Sequence, residues 1–435
     1  MKNRHILLAT SILSLNVWSQ DTIPLSKTDL QAKVIENNLQ IKIAEKNYQV
    51  SKADYNQSKS VYLPNVTASH TGYITTNPLM AFGSKLNQEV LTAADFNPTL
   101  LNDPKRTQNF ATKIEVQQPL INFDGFYGRQ AAKAKMEAYD LQTERTKEYL
   151  ELEINKAYMQ LQLAYKAIKV LQKAETTAKA NLKLVENYFK NGMLQKTDLL
   201  NVQVRVNEIV NQLQYAKSNV QNASDYLAFL LNEENTAKIY KPTEELENSI
   251  TPYSVETKIS EERKDIQAMK KSAYAYQKMF QSSKLGLLPR LNAFGSYEMY
   301  DKNIIGMRAN GYLVGAQLSW NVFDGLKTIT KTEKAKAEFQ KAEVETEQYT
   351  KQSQLELNKT NRQLKDAENK VNLSKLAHEQ SQEAFRIREN RFKQGLEKTT
   401  DLLLSETQMA QKELEYLQAV FEYNFTKSYL QFLTK

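Results

Sequence analysis

Apolar residues recur at alternating spacings of three and four through two long tracts of the chain. In the first tract the apolar positions are Ala157, Leu161, Ala164, Ile168, Leu171, Ala178, Leu182, Val185 and Phe189. In the tract that follows they are Val202, Val206, Ile209, Leu213, Ala216, Val220, Ala223, Leu227 and Leu230. A repeat of about 3.5 residues places these side chains on one face of each helix, and it predicts antiparallel helices that supercoil left-handedly.

Each of these helical tracts is interrupted by a single glycine. Gly192 is the only glycine between residues 129 and 285, and Gly395 is the only one between residues 326 and 435. Because glycine accepts a left-handed turn, each of them predicts the turn of a helical hairpin. An unbroken helix from Gly125 to Gly192 would be roughly 100 Å long, which is too long for a compact globule.

Four shorter segments alternate apolar and polar residues with a period of two, which predicts strands. Their apolar positions are Val66, Ala68 and Ile74, then Phe110, Ile114 and Val116, then Leu291, Ala293, Tyr297 and Met299, and finally Tyr312, Val314, Ala316, Leu318 and Trp320. The opposite positions are mostly polar and include Thr67, Ser69, Lys113, Glu115, Glu298 and Gln317. Strands of about 9–12 residues can cross a membrane when they are tilted.

Aromatic residues near the ends of these strands are typical of the girdles at a membrane interface. They are Tyr73, Phe110, Tyr297, Tyr312 and Trp320. A barrel needs about eight strands, so four cannot close one alone, and open strand edges are not tolerated in a bilayer. A membrane barrel would therefore be shared between copies, with eight strands from two or twelve from three. A water-soluble sheet with one wet face is the alternative.

The chain contains one structural unit twice. The segment Phe189-Lys190-Asn191-Gly192 returns as Phe392-Lys393-Gln394-Gly395, and Thr197-Asp198-Leu199-Leu200 returns as Thr400-Asp401-Leu402-Leu403 at the same offset. Leu63-Pro64 and Phe123-Asp124-Gly125 also return, as Leu288-Pro289 and Phe323-Asp324-Gly325. We expect a first repeat over residues 20–235, a linker over 236–255 and a second repeat over 256–435.

The first residues have the features of a secretory signal peptide. Lys2 and Arg4 precede an apolar run that extends from Ile6 to Val17, and small side chains follow at a possible cleavage site after Ser19. The run is shorter than the about 20 residues that span a bilayer as a helix. We therefore expect residues 1–19 to be removed and the mature chain to be exported.

The amino-acid composition excludes several kinds of functional site. The chain of 435 residues has no cysteine, which excludes disulfides, zinc thiolate sites and thiol catalysis. Its net charge of +8 is distributed among Glu and Gln on predicted helices, so a solvated surface explains it better than a nucleic-acid partner. His70 and His378 are isolated, and no nucleotide-binding or hydrolase motif is present. We expect no enzyme, no catalytic residue, no cofactor and no metal.

The duplicated order and the two Phe-Lys-x-Gly and Thr-Asp-Leu-Leu hairpins resemble the TolC family of outer-membrane efflux proteins over nearly the whole mature chain. The resemblance implies a mainly α fold with β strands: a homotrimer in which helical hairpins form an α-barrel and four strands per protomer contribute to one 12-stranded transmembrane β-barrel. It also implies an outer-membrane duct with a periplasmic helical extension, a periplasmic adaptor (membrane-fusion) protein and an inner-membrane pump of the RND or ABC type.

The resemblance places the periplasmic entrance and the adaptor contact at the hairpin tips. The matching residues are Gly192, Thr197, Asp198, Gly395, Thr400 and Asp401. Thr and Asp after a turn can also cap the returning helix, so Asp401 has two interpretations, a helix cap or a ring of carboxylates that favours cations. Some relatives carry a second acidic residue three positions later, where this chain has Leu404.

Some alternatives stay open at this point. A structural or adhesive coiled-coil protein of the cell surface would share the helical periodicity, although the paired amphipathic strands argue against it. The substrate can be a drug, a metal ion or a secreted protein. The long segment 77–108 is expected to be an external loop, and phage binding, bacteriocin binding and a lid are all possible roles. Asp124 and Asp324 are interpreted as turn residues that lead from a strand into a helix.

Overall fold

The computed structural model describes residues 22–234, 238–251, 253 and 255–435. The predicted signal peptide, residues 1–19, lies outside the described residues. The strands are β1 (Thr22–Leu25), β2 (Asn65–Thr75), β3 (Thr107–Ile121), β4 (Ile239–Pro242), β5 (Arg290–Asp301) and β6 (Ala309–Ser319). The helices are α1 (Lys27–Asn37), α2 (Leu39–Gln57), α3 (Pro78–Asn87), α4 (Pro98–Asn102), α5 (Phe123–Lys190), α6 (Lys196–Leu231), α7 (Lys264–Leu285), α8 (Lys327–Lys393) and α9 (Thr399–Thr434).

The four longest helices form two hairpins of matching length. Helix α5 has 68 residues and α6 has 36, while α8 has 67 and α9 has 36. The predicted seam is buried at most of its positions, including Leu161, Ala178 and Val185 in α5 and Ile209 and Leu227 in α6. Phe189 departs from the prediction because its side chain is exposed next to the turn.

Strands β2, β3, β5 and β6 form one antiparallel sheet in that order. Consecutive pairings run from Asn65 opposite Gln117, through Ile114 opposite Tyr297, to Tyr297 opposite Tyr312. The sheet is open, with β2 and β6 as its edges. The register places the predicted apolar positions that lie within the strands on one face, because residues that pair directly across a sheet point to the same side. Trp320 lies just beyond the end of β6.

The two faces of this sheet differ in chemistry, as the alternation predicts. The apolar face carries Ala68, Ile114, Tyr297 and Val314, and the polar face carries residues such as Lys113, which pairs with Glu298 in register. Strand β3 is longer than predicted, with 15 residues, and its register shifts between Pro119 and Ile121. Proline cannot donate a ladder hydrogen bond, which accounts for the irregularity at this point.

A second, two-stranded sheet was not predicted. Strand β1 pairs in parallel with β4, from Thr22 opposite Ile239 to Leu25 opposite Pro242. Leu25 and the β4 residue Tyr240 join a buried cluster with Leu30 of α1, Leu161 of α5 and Leu227 of α6. The segment expected as a linker therefore contains a strand that packs into a core.

The chain divides into two compact units. The first consists of the described residues within 22–42, 146–260 and 353–435, and it contains the two hairpin turns. The second consists of Ile43–Arg145 and Glu261–Gln352, and it contains the four-stranded sheet. Within the described residues, no helix is both long and apolar enough to cross a membrane.

The segment 77–108, expected as a loop, contains two short helices. Asn77 accepts a hydrogen bond from the backbone N–H of Met80, and Pro78 occupies the first turn of α3. Asn97 accepts from the backbone N–H of Thr99 in the same way before the proline at the start of α4. An Asn-Pro pair is a strong helix-starting signal, because asparagine caps free N–H groups and proline suits the first helical position.

The two Phe-Asp-Gly copies adopt different structures. In the first copy, Phe123 already begins α5, and the carboxylate of Asp124 pairs with Arg290. In the second copy, Gly325 has a φ of +68°, and Asp324 accepts a hydrogen bond from the backbone N–H of Thr328 at 3.0 Å. Only the second copy therefore forms the expected turn, and each aspartate has a structural partner.

Candidate functional site

The turns at the ends of the two hairpins have the same backbone geometry. Gly192 has a φ of +74° and Gly395 a φ of +75°. Each glycine N–H donates to the carbonyl of the phenylalanine three residues earlier, Phe189 or Phe392, at 2.9 Å. No atom lies within 4 Å of the position that a Cβ would take at either glycine. Glycine is required there for its left-handed backbone and not for lack of space.

The identity of the two turns extends to the residue after each glycine. Met193 N–H donates to the carbonyl of Tyr188, and Leu396 N–H donates to that of Arg391, both at 2.9 Å. A hydrogen bond that closes back over five residues is typical of a helix end with a left-handed residue. The internal repeat seen in the sequence is therefore also a repeat of three-dimensional structure at the tips.

The predicted tip residues differ in how they are bound. The Asp198 carboxylate accepts the backbone N–H of Gln195 at 3.1 Å, which completes a capping box at the start of α6. Thr197 and Thr400 are exposed. Neighbouring Thr399 is buried, and its hydroxyl has no hydrogen-bond partner among the described residues.

Asp401 lies beside a small ion-pair network on the second hairpin. Glu397 binds Arg388 at 3.1 Å and Arg391 at 3.0 Å, and Arg388 also approaches the Asp401 carboxylate at 3.9 Å. The start of α9 has no side-chain cap of the kind seen at α6. Asp401 keeps 43% of its side-chain surface accessible. The charged group that approaches its carboxylate is thus an arginine, whereas the carboxylate of Asp198 accepts a backbone N–H.

Two apolar residues at the tips escaped the sequence prediction. Met193 is 64% exposed and Leu396 is 63% exposed, and both directly follow the turn glycine. Large exposed side chains at equivalent places are typical of contact surfaces when they are grouped with polar neighbours. The signal was present in the sequence, since both repeats place a long apolar residue after the Phe-Lys-x-Gly motif.

A buried polar cluster lies between the hairpins behind the tips. Glu406 of α9 is fully buried and accepts a hydrogen bond from the side-chain amide of Asn181 in α5 at 3.0 Å. Its second oxygen has no partner, and the Nε of buried Arg205 in α6 has none either, among the described residues. Burial raises the pKa of Glu406, and the charge of Glu389 in α8 adds to this effect, while Asn181 and Arg205 oppose it.

The predicted interface aromatics do not all lie on one face of the sheet. Phe110, Tyr297 and Tyr312 follow the register of the apolar face, while Trp320 directly follows the last residue of β6 and has no register partner. Tyr73 pairs with Asn109 and therefore lies on the polar face, where its hydroxyl is 2.9 Å from that of Ser84 in α3. The indole N–H of Trp320 donates to the carbonyl of Leu287 at 3.0 Å, as suits an aromatic residue with a polar handle.

Charged residues on the polar face pair with one another. Lys113 of β3 lies 2.9 Å from the Glu115 carboxylate and 3.4 Å from that of Glu298 in β5. Ion pairs of this kind are costly in hydrocarbon and are typical of the interior face of a membrane strand. Among the described residues, no group of three or more His, Cys, Asp or Glu side chains could hold a metal ion.

A family model described as "Outer membrane efflux protein" matches residues 30–233 and 257–431, most of the chain. The chain belongs to the outer membrane efflux protein family. The match is made in two segments, separated by residues 234–256. No curated protein matches the sequence.

Solved outer membrane channels share the fold of this chain. The CmeC outer membrane channel of Campylobacter jejuni has a TM-score of 0.81 at 16% identity, covering 100% of this chain and 94% of that chain. VceC of Vibrio cholerae has a TM-score of 0.79 at 13% identity, with 94% and 96% covered. The open-state MtrE channel of Neisseria gonorrhoeae has a TM-score of 0.78 at 15% identity, with 94% and 88% covered.

The family membership confirms the predicted fold class, location and general function. Members are outer-membrane channels of tripartite efflux systems, with a periplasmic helical domain, and the chain is such a channel. They are trimers and are not enzymes. The open four-stranded sheet of one protomer is what a barrel shared by three copies requires. The alternative of an adhesive coiled-coil surface protein is not favoured.

Proposed function

We propose that three copies of this chain form an exit duct that receives its substrate at the hairpin tips from a periplasmic adaptor and an inner-membrane pump. The observation that supports this most directly is the identity of the two tips. Both have the same glycine turn, and both expose one long apolar side chain, Met193 or Leu396. Three copies therefore offer six similar docking positions to the adaptor.

The adaptor contact combines apolar and polar groups. Met193 and Leu396 supply the apolar part, and the exposed hydroxyls of Thr197 and Thr400 lie a few residues further along. Apolar anchors surrounded by polar groups are the usual composition of a protein interface. The pump, of the RND or ABC type, provides the energy, because the chain carries no nucleotide-binding motif.

The chain provides a path for the substrate and catalyses no reaction. His70 stacks on Phe110 and hydrogen-bonds to Thr112, while His378 stacks on Tyr416. Both histidines therefore have packing roles that explain their presence. The two repeats, residues 20–235 and 256–435 with the linker 236–255, each supply one hairpin and two strands to the duct.

The apolar face of the sheet contacts outer-membrane lipid. Phe110, Tyr297 and Tyr312 are aromatic residues of this face, Trp320 follows the end of β6, and Tyr312 is 81% exposed in the protomer. Aromatic side chains at such places are stabilised at the boundary between headgroups and hydrocarbon. Tyr73 has a different role, because its hydroxyl binds α3 on the opposite face.

Photo-crosslinking in cells tests the tip contact. A photoreactive amino acid at Met193 or at Leu396 is expected to capture the adaptor, because both side chains are exposed beside the turn. Tyr215, exposed on α6 but remote from the turn, is the matched control position. Capture from the control alone, or no adaptor from either tip, would contradict the proposed docking surface.

A ring of Asp401 carboxylates is proposed to favour cations at the entrance. Asp401→Ala is expected to reduce the cation preference of reconstituted channels, because an accessible carboxylate concentrates positive ions. Asp198→Ala is the matched control, since Asp198 is used in a capping box. Its removal should cost about 1 kcal/mol of local helix stability without changing ion preference. Equal reversal potentials for wild type and Asp401→Ala would reject the ring.

A further inference from the structure

The segment between β2 and β3, residues 77–106, forms a compact structure that we call the outer cap. One side of α3 packs on the sheet through three buried small or polar residues, Ala81, Ser84 and Gln88. The Gln88 side-chain amide donates to the Gln108 carbonyl at 2.9 Å and to the Asn109 side-chain oxygen at 2.8 Å. The cap is thus fixed to the start of β3.

The cap is also held together internally. Lys85 pairs with Asp95 at 2.7 Å, and the same carboxylate accepts the backbone N–H of Thr92 at 2.8 Å. Phe82 contacts Phe96 edge to face, with ring centroids 5.7 Å apart. These contacts connect α3 to the residues before α4, so the cap is packed as one unit.

The contacts of α3 show which face of the sheet it covers. Tyr73, whose hydroxyl binds Ser84, pairs with Asn109, and both belong to the polar face. The same face carries the ion pair of Lys113 with Glu298. Since paired charges line the interior of a membrane barrel, α3 lies on the pore side of the strands and not on the lipid side.

The side of α3 away from the sheet is apolar and exposed. At about 100° per residue, Leu79 and Leu86 lie opposite the buried Ala81, Ser84 and Gln88. Leu79 is 81% exposed and Leu86 is 56% exposed. We call Leu79 and Leu86 the apolar patch. An apolar patch outside a membrane is typical of a contact surface.

Twelve strands about 4.8 Å apart, tilted by about 40°, enclose a cylinder roughly 24 Å across. A helix with its side chains is about 10–12 Å thick. A helix on the inner side of each of three walls therefore reaches its counterparts near the axis. Lipid lies on the other face of the sheet and cannot reach the patch from there.

We propose that the apolar patches of three outer caps meet over the pore and close its outer mouth with an apolar constriction. The partner of each patch is a second copy of this chain. This inference rests on the trimeric duct proposed above. In it, residues 77–106 close the outer mouth of the pore. Opening then requires the caps to separate, which exposes apolar surface to water and disfavours the open state.

Cysteine crosslinking tests the contact between caps, because the chain has no cysteine of its own. Leu79→Cys is expected to give disulfide-linked dimers after oxidation of outer membranes. Val314→Cys, equally apolar and exposed but on the lipid-facing side of β6, should give none. Absence of the dimer from Leu79→Cys, or an equal yield from both variants, would overturn the proposal.

Channel recordings test the closing of the mouth. The double variant Leu79→Asp with Leu86→Asp should raise the time-averaged current of the reconstituted channel, because like charges repel across the axis. Ile305→Asp, on the neighbouring external turn, is the matched control and should leave the current unchanged. If the wild type and the double variant carry equal currents, the constriction is rejected. The current of the wild type would still support the proposed duct in that case. If neither conducts, the duct fails, and the disulfide result decides the contact between caps separately.

Discussion

At the scale of single residues, the buried Glu406 stands out because only one of its two carboxylate oxygens accepts a hydrogen bond among the described residues. Asn181 supplies one hydrogen bond, and the second oxygen is without a partner among the described residues. A buried charge is stabilised only when opposite charges and hydrogen bonds replace the lost water. The tips of the duct therefore lie close to a group that favours its neutral form more than an exposed glutamate does.

We expect Glu406→Gln to stabilise the protein at neutral and alkaline pH by roughly 1–3 kcal/mol. Burial raises the folded-state pKa of Glu406, so the glutamate stabilises the fold most below the unfolded pKa of about 4.3. That contribution is lost as the pH rises through the higher folded pKa. Glutamine is neutral at every pH, so the stability of Glu406→Gln relative to the wild type should increase as the pH rises through this range.

Thermal unfolding of the detergent-solubilised protein at several pH values measures this difference. Glu379→Gln, the same change at an exposed position of α8, is the control and should shift the melting temperature little. An advantage of Glu406→Gln that grew on acidification would have the wrong sign and would refute the argument.

At the scale of elements, a network around Asp265 connects three helices of the second compact unit. Arg263 donates to its carboxylate at 2.6 Å, Tyr349 of α8 donates at 2.7 Å, and Arg145 of α5 lies at 3.2 Å. Burial alone would raise the pKa of Asp265, but the hydrogen bonds from Arg263 and Tyr349 and the charge of Arg145 lower it overall. The start of α7 is thereby fixed to both long helices.

Asp265→Asn should destabilise the second unit by about 3–5 kcal/mol, because two largely buried arginines lose a counter-charge that they share. The lowered pKa means that the stability from Asp265 is present above its unfolded value and is lost as the pH falls through the folded value. Circular dichroism melts at neutral pH and at low pH check both statements. Asp54→Asn, exposed on α2, is the control, and an equal loss in the two variants would contradict the network.

Sequence patterns predicted the long elements well and the short ones poorly. The heptad pattern predicted the hairpins because buried apolar positions recur regularly along α5 and α6. The alternating pattern predicted the strands because only one face of the sheet is apolar. Strand β1 has only four residues and pairs with β4 more than two hundred residues away, so no local pattern reveals it. The capping pairs Asn77-Pro78 and Asn97-Pro98 do encode α3 and α4 locally.

The candidate site was predictable to the extent that it repeats. Gly192 and Gly395 were identified because glycine is the residue that most readily takes a positive φ, and each is the one glycine of an otherwise helical tract. The different states of Asp198 and Asp401 could not be foreseen, because they depend on Gln195 in one turn and on Arg388 in the other. Burial of Glu406 between helices is likewise a tertiary property.

At the scale of the whole molecule, the repeat indicates how copies meet. Tyr226 donates to Glu153 at 3.0 Å in the first hairpin, and Tyr429 donates to Glu356 at 3.4 Å in the second. Phe432, the repeat counterpart of Phe229, packs against Tyr149 with ring centroids 6.1 Å apart. Phe229 itself is 65% exposed. In the trimer, the next copy would cover Phe229 in the way that Tyr149 covers Phe432 within one chain.

Phe229→Asp should weaken the trimer by about 2 kcal/mol per subunit contact, the cost of exposing one large apolar side chain. The temperature at which trimers dissociate on mildly denaturing gels measures this effect. Tyr215→Asp is the control, because Tyr215 is equally exposed on α6 but its counterpart Gln418 is polar. Loss of the trimer in the control and not in Phe229→Asp would contradict this arrangement.

The equal lengths of the two hairpins restrict how such a chain can evolve. Helices α6 and α9 each have 36 residues, and α5 and α8 differ by a single residue. A deletion of seven residues from each arm of one hairpin would shorten three of the six hairpins of a trimer by about 10 Å and leave the rim uneven. Adaptation to a wider or narrower periplasm therefore calls for matched insertions or deletions in both halves of the gene.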